Sequence, residues 1–109
     1  MAEFRQKVLS YIHKIPKGRV ASYGQVAAAC GKPRAARAVG GILRGLDAAD
    51  GNIPWWRVVN NRGIISIKGN WIASKEVQKR MLEKEGIPVS DGYVLEIKKY
   101  RINNHAVKD

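Results

Sequence analysis

The spacing of apolar side chains divides this chain into helical stretches up to residue 46 and mixed, extended stretches beyond it. Phe4, Val8, Tyr11, Ile12 and Ile15 fall at helical spacing and predict a packing helix over residues 4–15. Pro16-Lys17-Gly18 ends it, and Arg19-Val20-Ala21 reads as a short extended connector. Ser22-Tyr23-Gly24-Gln25 has the Ser-x-x-Gln form of a capping box, so a second helix starts near Tyr23 and runs to Cys30, with Gly31 free to take the left-handed conformation that closes it. A third helix, 33–45, opens on Pro33 and carries Ala35, Ala38, Val39, Ile42, Leu43 and Leu46 as one apolar stripe. Its other side presents Arg34, Arg37, Gly41 and Arg44. Two helices joined by a short Gly-containing turn, the second with a cationic outer face, describe a helix-turn-helix.

Beyond the polar loop 46–52, Ile53-Pro54-Trp55-Trp56-Arg57-Val58-Val59-Asn60 is a bend set by the fixed φ of Pro54. Read as extended chain, Trp55 and Trp56 point to opposite sides, one into the core and one towards a cleft or the surface. Val58-Val59 and Ile64-Ile65 flank Asn60-Asn61-Arg62-Gly63, a hairpin signal that would make a wing. Residues 66–71, including Lys68, read as a loop folding back over the bend. Ser74 caps a last helix through Val77, Met81 and Leu82 that closes at Gly86. Asp91-Gly92 turns into a strand over 93–97, and Lys98-Lys99-Tyr100-Arg101 begins a basic tail. The fold class expected is mainly α with a short β hairpin, α+β, in one domain spanning 1–109.

Charge sharpens this picture. Twenty Lys and Arg against nine Asp and Glu leave a net +11 on 109 residues, which makes a polyanion the natural partner. Lys32, Arg34 and Arg37 gather near the start of the third helix with no acid beside them, an arrangement a bound phosphate would relieve. No apolar run approaches the ~20 residues of a membrane span, and the charged start 1–7 suggests neither export nor a membrane partner. The single cysteine, Cys30, excludes an internal disulfide, and two distant histidines, His13 and His105, make a poor metal set. No cofactor is expected.

Ile15-Pro16-Lys17-Gly18-Arg19-Val20, Ser22-Tyr23-Gly24-Gln25, Arg37-Ala38-Val39-Gly40-Gly41, Ile53-Pro54-x-x-Arg57-Val58-Val59 and Lys84-Glu85-Gly86 together resemble the DNA-binding domain of O6-alkylguanine-DNA alkyltransferases, in order, over about residues 4–88. That resemblance implies a winged helix-turn-helix-like fold. In that family the bend reads Pro-Cys-His-Arg-Val, the cysteine taking the alkyl group and the histidine, supported by a distal glutamate, activating it. Here Trp55 and Trp56 stand in those two places. An indole supplies neither a thiolate nor a usable proton equilibrium, so alkyl transfer cannot occur there. The chain is thus similar to the alkyltransferase-like proteins, which implies a non-enzymatic sensor. Such a sensor binds double-stranded DNA holding O6-alkylguanine through the minor groove, flips the base into a pocket, blocks alkyltransferase action and flags the lesion for nucleotide excision repair proteins.

The same resemblance assigns roles. Arg37 fills the gap left by the flipped base, as a planar guanidinium can, between Ala36 and Ala38, small enough to sit deep in the groove. Tyr23 rotates the target phosphate and closes the pocket. Trp55 walls the pocket while Trp56 belongs to the core. Val58 lines the pocket and Lys68 lies near O6; Arg34 and Arg44, on the cationic face of the third helix, are counted with Tyr23, Ala36, Arg37 and Ala38 as DNA-binding residues. Glu85 matches the distal glutamate but has lost its histidine. A monomer is expected, nucleoid-associated in the cytoplasm of a bacterium or nuclear in a eukaryote. Two alternatives stay open: a sequence-specific regulator built on the bare helix-turn-helix, and weak alkyl transfer to Cys30, the sole thiol.

Overall fold

The computed structural model describes residues 2–47, 50, 52–65 and 75–102. Helix α1 (Ala2–His13) leads into β1 (Ala21–Ser22), α2 (Tyr23–Ala29) and α3 (Ala36–Arg44). A 3-10 turn (Trp55–Arg57) then precedes β2 (Val58–Val59), and α4 (Lys75–Lys84), β3 (Val89–Ser90), β4 (Tyr93–Val94) and α5 (Ile97–Tyr100) follow.

The helical periodicity holds. In α3 the stripe turns inward, with Val39 and Leu43 fully buried and Leu46 nearly so, while Arg37 and Arg44 stay exposed. Burying each of those side chains is worth about 1.5–3 kcal/mol. At the start of α2, Ser22 Oγ accepts the Gln25 N–H at 3.0 Å and Gln25 Oε1 accepts the Ser22 N–H at 2.9 Å, the reciprocal capping box. Gly31 takes φ +88° after it. Helix α3 starts three residues later than expected: Pro33 and Arg34 lie in a turn closed by the Ala35 N–H on the Lys32 carbonyl at 2.9 Å, so of the clustered cations only Arg37 sits in its first turn.

The strands depart from expectation. Val58–Val59 pairs in parallel with Ala21–Ser22, not as a hairpin with 64–65, and the supposed connector before α2 is therefore strand. The reason is burial. Val58 and Val59 are both fully buried on opposite faces, so the strand needs cover on two sides, which a solvent-facing hairpin does not supply. The Asn60–Ile64 turn does form, with Gly63 at φ +84°, but Ile64 then bridges to Tyr93. Only residues 93–94 of the expected 93–97 strand pair, antiparallel with Val89–Ser90. Glu96 enters the left-handed region at φ 53° and the chain winds into α5.

Alternation along β1 and β2 separates two cores. Ala21 and Val58 face a larger one formed by α1, α2 and α3 with Trp55 and Ile102. Val20 and Val59 face a smaller one with Ile65, Leu82, Ile87, Val89 and Val94. Trp56 packs against both.

Candidate nucleic-acid interface

A cavity of about 720 Å³ opens beside Tyr23. Tyr23 and Gly24 of α2 and Ala36, Arg37, Gly40 and Arg44 of α3 form one wall, and Asn60 and Asn61 of the turn after β2 form the other. Each wall follows from local structure. The capping box fixes the first turn of α2, and Gln25 Nε2 also donates to the Ile102 carbonyl at 2.6 Å, so Tyr23 stands on an end that is tied down twice. At Gly40 an added Cβ would meet Arg44 Nη1 at 3.4 Å and Tyr23 Cε1 at 3.9 Å, so a larger side chain there would push into the cavity.

The electrostatics suit an anion. The first turn of α3 holds no acid and Arg37 is exposed at it. Among the described residues, the Arg37 side chain makes neither a hydrogen bond nor an ion pair. Burial pushes the Tyr23 hydroxyl above its ordinary value, more than Arg44 pulls it down, which keeps a neutral O–H donor at the rim. Arg34 is exposed in the turn before α3 and does not line the cavity. Ala38 faces the larger core, while Ala36 faces the cavity.

The bend differs from its expected geometry. Trp55–Arg57 is a 3-10 turn, closed by the Arg57 N–H on the Pro54 carbonyl at 3.1 Å, so successive side chains swing by roughly 120° and not to opposite faces. The two indoles meet edge to face, centroids 5.9 Å apart at 83°. Trp55, expected at the cleft, is 6% exposed in the larger core, and Trp56, expected in the core, is half-buried. Neither Trp55 nor Val58 lines the cavity beside Tyr23; Val58 is fully buried. Lys68 lies outside the described residues.

Glu85 organises the bend. Its side chain is 6% exposed; Oε1 accepts the Gly18 N–H at 3.0 Å, and Oε2 accepts Trp56 Nε1–H at 2.9 Å and Arg57 Nη2–H at 2.7 Å. Arg57 also donates through Nε to Glu85 and through Nη1 to the Ile15 carbonyl at 2.8 Å. Burial pushes the Glu85 carboxyl up, but the donors from Arg57, Gly18 and Trp56 together hold it below the usual carboxylate range. Gln78, 1% exposed, donates through Nε2 to the Trp56 and Val58 carbonyls at 3.1 and 3.0 Å. Neither Gln78 nor the Asn60–Asn61 wall was marked by a local motif; only the Asn-Asn-x-Gly turn pointed to that region.

Cys30 caps the far end of α2, about 10 Å along the helix from Tyr23. It is buried beside a separate cavity of about 270 Å³ lined by Glu3, Phe4, Lys7 and Lys32, and burial pushes its thiol up against the smaller pull of Lys7. Among the described residues no three His, Cys, Asp or Glu side chains gather as a metal set, and no helix is long and apolar enough to cross a membrane.

Residues 3–87 match the family model of the 6-O-methylguanine DNA methyltransferase DNA-binding domain. The chain belongs to this family. It is 41% identical over 101 residues, 93% of its length and 97% of the relative's, to a protein of Vibrio parahaemolyticus named DNA base-flipping protein. It is 38% identical over 103 residues to alkyltransferase-like protein 1 of Schizosaccharomyces pombe, covering 94% of this chain and 91% of that one. Its fold superposes on the crystal structure of S. pombe Atl1 in complex with damaged DNA containing O6-carboxymethylguanine, with a TM-score of 0.84, 36% identity and coverage of 94% and 97%. The winged helix-turn-helix-like, α+β architecture is that of these relatives.

Proposed function

We propose that this chain is a non-enzymatic sensor of alkylated DNA. Helix α3 enters the minor groove, Arg37 occupies the place of an extruded O6-alkylguanine, and the base rests in the cavity beside Tyr23. The observation that carries this reading is that cavity, about 720 Å³, within the range of small-ligand sites and flanked by Arg37 and Arg44 at the two ends of a helix without acids. Tyr23, half-buried on the cavity wall, offers the aromatic face for the extruded base, and stacking worth ~1–3 kcal/mol per base offsets part of the unstacking cost. Arg34 and Arg44 contact phosphates, and Lys68 approaches O6. The names and DNA-bound structures of the relatives support the same reading. Signalling to nucleotide excision repair proteins, action as a monomer, and residence at the nucleoid or in the nucleus complete the proposal.

Anisotropy titration of a labelled duplex carrying one O6-methylguanine against its unmodified twin tests it. Tighter binding to the lesion is expected, and equal affinities would refute the assignment. A regulator reading the major groove would instead follow base sequence and ignore alkylation.

A further inference from the structure

Strands β1 and β2 end at the cavity together. Ser22 pairs with Val59, and the residues that follow them are Tyr23 and Asn60, which line its two walls. Neighbouring strands lie about 4.8 Å apart, so the two side chains leave adjacent backbones into the same space. A purine laid against the Tyr23 ring has Asn60 within reach of its edge.

The turn after β2 fixes Asn60 on its main chain and at one end of its side chain. Its N–H donates to the Ile64 carbonyl at 3.1 Å, and its carbonyl accepts the Gly63 N–H at 2.8 Å. Its Oδ1 accepts the Arg62 N–H at 2.7 Å. A flipped amide would set NH2 against that N–H, donor against donor, so the orientation is locked. The oxygen is thus committed to the turn, and the NH2 is the end of this half-buried side chain left for an occupant of the cavity. The rest of the lining has the same sense: Arg37 and Arg44 are donors only, and none of the described residues lining the cavity is Asp or Glu.

Alkylation at O6 changes the purine in a way this wall can read. In guanine, N1 carries a hydrogen and donates. In O6-alkylguanine the ring nitrogen has lost that hydrogen and N1 becomes an acceptor, whatever the size of the alkyl group. A fixed donor opposite N1 gains a partner in the damaged base and meets another donor in the normal one. We infer that Asn60 is a specificity-determining residue whose side-chain NH2, oriented by the turn, donates to N1 of the extruded O6-alkylguanine. This inference rests on the proposed lesion binding and names the atom by which the damaged base is told from guanine.

The test removes that atom from the base and that donor from the protein. Three duplexes are compared, with O6-methylguanine, its 1-deaza analogue, in which C–H replaces N1, or guanine; each base stands opposite an abasic position, so that pairing strength does not enter. Wild type, Asn60→Asp and Asn60→Ser are titrated with all three by anisotropy, and thermal midpoints report folding. Wild type is expected to bind O6-methylguanine about tenfold more tightly than the 1-deaza analogue. Asn60→Asp keeps an oxygen for the Arg62 N–H and puts a second oxygen where the NH2 stood; its added charge weakens both lesion duplexes alike, and the tenfold ratio between them is expected to vanish. A role confined to the turn would lower both affinities and leave the ratio at its wild-type value. Equal wild-type affinities for the two lesion duplexes, or a wild-type ratio in folded Asn60→Asp, overturns the inference. Where Asn60→Asp does not fold, Asn60→Ser, whose hydroxyl can also cap the turn, decides by the same ratio. A wild type that binds O6-methylguanine no better than guanine refutes the proposed function itself, so the two failures are distinct.

Discussion

Replacing Glu85 by Gln removes one negative charge and keeps the shape of the side chain. The carboxylate is 6% exposed and its Arg57 partner 14% exposed, so water does little to compensate the cation left behind. A carboxamide has one acceptor oxygen, whereas Glu85 uses both of its oxygens to receive Gly18, Trp56 and Arg57. At least one of those donors loses its partner, and the amide NH2 faces the guanidinium. Breaking a buried pair from one side costs about 3–5 kcal/mol, and because Arg57 keeps its bond to the Ile15 carbonyl the lower end applies, about 3 kcal/mol. At about 4 °C per kcal/mol for a domain of this size, the thermal midpoint should fall by about 12 °C. The pH dependence has a definite sign. A carboxyl held below its ordinary value contributes stability that is fully present above about pH 4.3 and is lost as pH falls through the folded-state value, so the gap between wild type and E85Q should be constant above about pH 5 and close in more acidic buffer. Urea unfolding at several pH values measures both. A neutral-pH difference under about 1 kcal/mol, or a gap that widens with acid, would refute the reasoning.

Other expectations follow from the same geometry. Arg37→Ala should reduce discrimination for O6-methylguanine over guanine by roughly tenfold, with a smaller effect on unmodified duplex; unchanged discrimination in paired titrations would remove Arg37 from base replacement. Arg34→Ala, outside the cavity, should weaken binding to both duplexes alike and lower the salt slope by about one, measured between 50 and 200 mM salt on the order used for such plots. Leu43→Ala, at a fully buried position in the α3 stripe, should cost about 2–5 kcal/mol in urea unfolding, and a loss under 1 kcal/mol would contradict the packing described for the larger core.

The helices were legible because their information is local. The stripe of α3 and the Ser22–Gln25 capping box each lie within a few turns of chain, and both stand where the spacing put them. Pro33 misled by one turn, because a proline suits a tight turn as well as a helix start. The parallel pairing of Ala21–Ser22 with Val58–Val59 left no local trace: partners 37 residues apart share no period, and the turn at Asn60–Gly63 imitates a hairpin whose strands in fact pair elsewhere. The site divides the same way. Tyr23, Arg37 and Arg44 were found because they ride on recognisable helices, whereas the Asn60–Asn61 wall and the hydrogen bonds of Glu85 join segments far apart in sequence. The tryptophans exchanged their expected burial because two neighbours in a 3-10 turn do not alternate as they would in a strand.

Recognition without chemistry is tested most directly by one competition. The protein is mixed with equal amounts of two distinguishable duplexes, one holding a single O6-methylguanine, and the complex is recovered and weighed intact by mass spectrometry. The lesion duplex should dominate the bound fraction, with protein and DNA masses both unchanged. Equal partition of the duplexes, or a protein heavier by one methylene unit beside a demethylated DNA, would contradict it.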